Sequence, residues 1–155
     1  MNKMIWYDEH KDGDDMNILI VCNNGCSSSV LVKRLNNELM ASGLSKKHYI
    51  DHAQFMFMYQ QKQPYDIIML CPQTYHEWLM MKKDDIKDIP IYMIPPKLFV
   101  SFDIEKMLED GEDAIHQFKS DHKNPVFFPG EEAYMKNRRS VSYRKFKENK
   151  KNIMN

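Results

Sequence analysis

Cysteine is scarce in this chain of 155 residues, confined to Cys22, Cys26 and Cys71. An odd, small number of thiols excludes a disulfide-stapled secreted scaffold and fits a reducing compartment. Long apolar runs are missing as well: none approaches the roughly 18 residues that a membrane-spanning helix requires. The first residues, Met1 to Tyr7, lead straight into Asp8, Glu9, Asp12, Asp14 and Asp15, which is not the basic-then-apolar layout of a secretory signal. A cytoplasmic protein is therefore expected. Internal repeats and Gly/Ser linkers are also lacking, and the length suits one domain with short extensions.

What is present is a chain that is 43% apolar and 28% charged with a mean hydropathy of −0.63, enough for a core in a protein that lives in water. Its net charge of zero hides a polarity along the chain. Residues 1–15 carry two lysines against five acids, whereas residues 136–155 carry eight Lys/Arg against the single Glu148. This divides the chain into an acidic leader over 1–15, expected to be disordered, a globular body over 16–120, and an extension with a basic tail over 121–155. Pro125, Pro129 and Gly130 mark the expected exit from the body.

Within the body, Ile18-Leu19-Ile20-Val21 is a continuous β-branched and aliphatic run, as in a strand buried on both faces. Ser27, Ser28 and Ser29 then offer caps for a helix carrying Val30, Leu31, Leu35 and Leu39, with Gly43 as its stop. A weaker strand near His48–Ala53 leads into a helix-like stretch through Gln63. Ile67-Ile68-Met69-Leu70 is a second buried strand, Thr74–Lys83 a short helix, and Pro90–Ile94 a fourth strand. Ser101 or Asp103 caps a last helix with Ile104, Met107, Leu108, Ile115 and Phe118 on one face. Strands alternating with helices predict a small doubly wound α/β domain: a four-stranded parallel sheet, order 2-1-3-4, with helices on both faces. Ligands in such sheets bind beyond the carboxyl ends of the strands where the order reverses. Two loops meet there, Cys22–Ser29 and Cys71-Pro72-Gln73.

The first loop carries the chemistry. Cys22 ends a strand, and Asn23, Asn24, Gly25, Cys26, Ser27, Ser28 and Ser29 lead into a helix start. Amides at a helix N-terminus suit a phosphate, and a glycine lets the backbone bend toward it. The same field favours a thiolate, which makes Cys22 a nucleophile. A cysteine phosphatase needs an arginine six residues after its cysteine to clamp the equatorial oxygens; here that position is Ser28, and no basic residue precedes Lys33. Such a loop holds a phosphoryl group while hydrolysing it poorly, which is the behaviour of a carrier rather than of a low-molecular-weight phosphatase.

Ile18-Leu-Ile-Val-Cys-Asn-Asn-Gly-Cys-Ser-Ser-Ser29 resembles the start of the enzyme IIB component of the bacterial sugar phosphotransferase system, lactose/cellobiose type. The likeness continues through Asp66-Ile-Ile-Met-Leu-Cys-Pro-Gln73 and, more loosely, through Ile89–Ile94 into the last helix, covering roughly residues 16–120. Cys26 stands where that family usually has Met, and Cys71 where it has Gly. The resemblance implies that Cys22 becomes a phosphocysteine, charged by the phosphohistidine of enzyme IIA and discharged to a sugar, such as a β-linked disaccharide, held by the membrane enzyme IIC. No cofactor and no metal are implied. A different class of reading keeps the fold and treats the loop as a phosphate sensor in a non-catalytic regulatory module.

Other residues invite plainer accounts. His48 and His52 lack further ligands at a recognised spacing and read as ordinary surface histidines rather than a metal site. The thirteen methionines read as packing. For the basic tail, with Arg138, Arg139, Arg144, Lys145, Lys147 and Lys150 interleaved with Tyr143 and Phe146, a solvated segment is the bland account. Contact with an anionic membrane is the favoured functional one, ahead of nucleic acid.

Overall fold

The computed structural model describes residues 15–24 and 26–154. The leader falls outside them except for Asp15, as does Gly25 of the loop. The four strands β1 (Met16–Cys22), β2 (His48–Gln54), β3 (Ile67–Leu70) and β4 (Ile91–Met93) form one sheet in the order β2-β1-β3-β4, and every pairing is parallel. Five helices accompany them among the described residues: α1 (Cys26–Ala41), α2 (Tyr75–Met80), α3 (Pro96–Val100), α4 (Ile104–Asp121) and α5 (Tyr143–Met154).

All seven residues of β1 are buried, because the strand lies between two neighbours and under two layers. Its side chains alternate between two cores. Ile18, Ile20 and Cys22 face Leu31, Leu35 and Leu39 of α1 and Met107, Ala114 and Phe118 of α4. Leu19 and Val21 face the other way, with Ile68, Leu70, Met93, Trp78 of α2 and Tyr134. Gly43 adopts φ +76° and ends α1, so that the Leu44 amide reaches back to the Leu39 carbonyl at 2.9 Å. Asp103 caps α4 by accepting from the Lys106 amide at 3.0 Å. Gly111 lets α4 press on the sheet: a Cβ there would stand 3.0 Å from Met69 Cε.

Two expectations need correction. The helix-like stretch through Gln63 is a single 3-10 turn, Phe55–Phe57, followed by irregular chain to β3. Phe55, Met58 and Tyr59 pack into the second core, but Gln60, Gln61, Lys62 and Gln63 offer nothing apolar for further turns to bury. The second correction concerns the tail, which is packed at its base and helical beyond it. Val126 and Phe128 join the first core, and the Val126 amide donates to the Ile91 carbonyl at 2.7 Å. Arg139, with a side chain only 2% exposed, donates to Asp110 at 2.8 Å and to Glu131 at 2.7 and 3.0 Å. Tyr92 hydroxyl also bonds Asp110, whose other oxygen accepts the Tyr143 amide at 2.8 Å. Burial disfavours the Arg139 charge, yet the hydrogen bond to Glu131 and the neighbouring Tyr92 and Asp110 outweigh it and hold the guanidinium above its ordinary value.

Candidate functional site

The site forms at the carboxyl end of β1. Cys22 is the last residue of that strand, and the parallel register that pairs Val21 with Leu70 sets Cys71 beside it on the same face of the sheet. The Cys71 amide donates to the Val21 carbonyl at 2.9 Å, which locks the two strand ends together. Both cysteines are buried, at 2% and 0% exposure, whereas Cys26 is exposed.

The loop is organised by its own short side chains. Asn24 Oδ1 accepts the Cys26 amide at 3.1 Å, an Asx cap at the start of α1, and lies 4.0 Å from Cys22 Sγ. Ser28 turns its hydroxyl inward to within 3.2 Å of Cys22 Sγ, and Ser29 bonds the Cys26 carbonyl at 2.8 Å. Ser27 is exposed, as is Asn23. Ser28 thus brings the first turn of α1 against the thiol, and the amides of a helix start favour negative charge nearby.

Cys71 is a different kind of cysteine. Burial, and next the neighbouring Cys22, push its thiol up to about 12, so it stays neutral and acts as packing beside Cys22. Pro72 opens a 3-10 turn into α2, Thr74 bonds the Cys71 carbonyl at 2.8 Å, and Gln73 is exposed. The Tyr134 hydroxyl, held by the Ile94 carbonyl at 2.7 Å and stacked on Tyr75, closes this side; burial, then Cys71 and Tyr75, raise its pKa.

A hollow of about 450 Å³ opens on the other flank. Asn24, Cys26 and Ser29 of the loop line it together with His52, Gln54 and Phe57 from the end of β2 and the turn after it. Pro72 and Gln73 do not line it. The contribution of β2 is the part that sequence reasoning missed. The signal was available in the rule that ligands sit at carboxyl ends of strands, which applies to β2 as much as to β1. His48, at the other end of β2, accepts the Met16 amide on Nδ1 at 3.1 Å and is structural. Among the described residues no group of three His, Cys, Asp or Glu is placed to hold a metal.

Fold and loop together define a small doubly wound domain with a buried cysteine at a strand end, directly before a helix start. The family model described as PTS system, Lactose/Cellobiose specific IIB subunit matches residues 17–110, more than half of the chain, and the chain belongs to that family. Membership gives it a sugar phosphotransferase role. Among solved structures, the lactose-specific IIB component domain from Streptococcus pneumoniae aligns with a TM-score of 0.44 at 20% identity, covering 71% of this chain and 99% of that one. No curated protein matches the chain.

Proposed function

We propose that Cys22 is the phosphoryl carrier of a sugar phosphotransferase system, accepting from the phosphohistidine of an enzyme IIA and donating to a sugar bound by the membrane enzyme IIC. The observation that carries this reading is the placement of Cys22 Sγ at the strand end, 3.2 Å from the Ser28 hydroxyl and in front of the first turn of α1. In the first step the thiolate attacks phosphorus in line; the S–P bond forms, the P–N bond breaks, and the departing imidazole takes a proton. Charge spread over the equatorial oxygens is met by the loop around Cys22, from Asn23 to Ser29, and by the first-turn amides of α1. In the second step a sugar hydroxyl attacks the same phosphorus, the P–S bond breaks, the hydroxyl proton leaves, and the thiolate is restored.

Ser28 supports storage rather than hydrolysis, because a hydroxyl cannot clamp two oxygens as a guanidinium does. No described helix is long and apolar enough to cross a membrane. A cytoplasmic subunit that meets IIC from the inner side, with a β-linked disaccharide of the lactose or cellobiose kind as acceptor, is the reading by family type.

The test is intact-protein mass spectrometry after incubation with phosphoenolpyruvate, enzyme I, HPr and a cognate IIA, with Cys22→Ser alongside. One phosphoryl group on the wild type, absent from the variant and discharged by sugar with IIC membranes, is the expected result. An unmodified wild type, with a donor shown to charge another IIB, would overturn the carrier and leave the regulatory phosphate-binding module.

A further inference from the structure

The matched family region ends at residue 110, and the chain beyond it has chemistry of its own. Internal ion pairs consume part of the basic charge after residue 135. Arg139 is buried on Asp110 and Glu131, Arg144 reaches Glu109, Glu112 and Asp113, and Lys145 pairs with Glu105 and Glu109. Lys136, Arg138, Lys147, Lys150 and Lys151 form no ion pair among the described residues, and all five are exposed. Two of them, Lys136 and Arg138, come from the loop before α5 and one, Lys150, from α5 itself, yet all three line one hollow of about 510 Å³ floored in part by Phe146.

Exposed apolar side chains accompany these cations. Met135 is 58% exposed, Phe146 39% and Ile153 84%; Phe146 and Ile153 lie seven residues apart and so on one side of the helix. Helix α5 is exposed from Phe146 to Ile153, and a helix this short has little intrinsic stability in water. Lysines beside exposed aliphatic and aromatic groups form the pattern of a helix lying at a lipid headgroup boundary.

We propose that α5 and the 135–138 loop form a contact surface for an anionic phospholipid bilayer, with Lys147, Lys150 and Lys151 near the headgroups and Phe146 and Ile153 at the boundary. Nucleic acid fits less well. Guanidinium groups are the better forks for backbone phosphates, and Arg139 and Arg144 are committed to internal carboxylates, leaving a surface mostly of lysine. The inference stands apart from the chemistry of Cys22, since none of these residues lines the loop.

Co-sedimentation of the full chain with vesicles tests it. Wild type is expected to pellet with phosphatidylglycerol/phosphatidylcholine vesicles at 0.1 M salt, to be released by 0.5 M salt, and to stay in solution with pure phosphatidylcholine. Each cation is worth roughly fivefold in partition, so Lys147→Gln/Lys150→Gln/Lys151→Gln should weaken binding on the order of 100-fold with an unchanged near-ultraviolet circular dichroism spectrum. Ile153→Ser keeps every charge and should still weaken binding several-fold, a loss that pure ion exchange would not show. Absence of pelleting with anionic vesicles, equal pelleting of the triple variant, or tighter retention on an oligonucleotide than on vesicles would each overturn the proposal. Phosphorylation at Cys22, measured separately, is unaffected by any of these outcomes.

Discussion

Cys22 Sγ and Ser28 Oγ stand 3.2 Å apart, both buried, where the end of β1 meets the first turn of α1. The spacing of six residues puts a hydroxyl where a hydrolytic loop would carry a guanidinium. It is a direct contact between the thiol and the one buried serine among Ser27, Ser28 and Ser29.

Removing that hydroxyl tests what the contact does. Ser28→Ala should leave the fold intact, since alanine fits the same enclosed space, and slow phosphoryl uptake from IIA about tenfold, the equivalent of roughly 1.4 kcal/mol in the barrier. Rapid-quench kinetics of charging would read it directly. A variant charged at the wild-type rate would make Ser28 a packing residue only.

Asp66 gives the stability of the domain a pH dependence. Its Oδ2 accepts the Asn17 amide at 2.8 Å, and burial raises its pKa from 3.8 to about 6 against the pull of that amide and of Lys119. Between those two values the unfolded chain gives up its proton while the folded chain keeps it, so stability falls as pH rises from about 4 to 6. Asp66→Asn keeps an acceptor for the Asn17 amide without the charge. Its advantage over wild type should be near zero at pH 4 and, discounted for partial exposure, about 1 kcal/mol at pH 7. Urea midpoints across that range decide it; a variant less stable at neutral pH would show that the carboxylate is held more favourably than its burial implies.

Arg139 is the strongest handle on the C-terminal segment. Arg139→Met leaves Asp110 buried with no cation, a loss of about 3–5 kcal/mol in unfolding free energy. Arg139→Lys should recover little of it, because one ammonium cannot span Asp110 and both oxygens of Glu131. Chemical denaturation of the two variants against wild type measures both effects, and a loss below about 1 kcal/mol for Met would mean that the network is dispensable.

Much of this architecture could be read from residue order. The continuous apolar runs of β1 and β3 admit no solvent face, and Gly43 marks the end of α1 by the one backbone conformation other residues avoid. The loop after β1 was legible because its chemistry is local: a thiol, short polar side chains and a helix start within a few residues. The hollow beside it was not, since it depends on bringing His52 and Phe57 next to Asn24. The stretch after Phe57 misled because aromatic and methionine spacing resembles a helix face until the glutamines after it are weighed. Arg139 looked solvated for a similar reason. Amid a run of cations nothing marks one as internal, and its partner Asp110 is 29 positions away.

That separation has a meaning in time as well as space. A ribosome adding about 5–20 residues per second makes Arg139 about 1.5 to 6 seconds after Asp110. Every described strand and the loop after β1 are already synthesised by then, while a carboxylate destined for the interior still waits for its cation. The nascent domain is electrically unfinished until the segment that carries Arg139 emerges, so the buried Asp110 gains its cation only after the last described strand has been made.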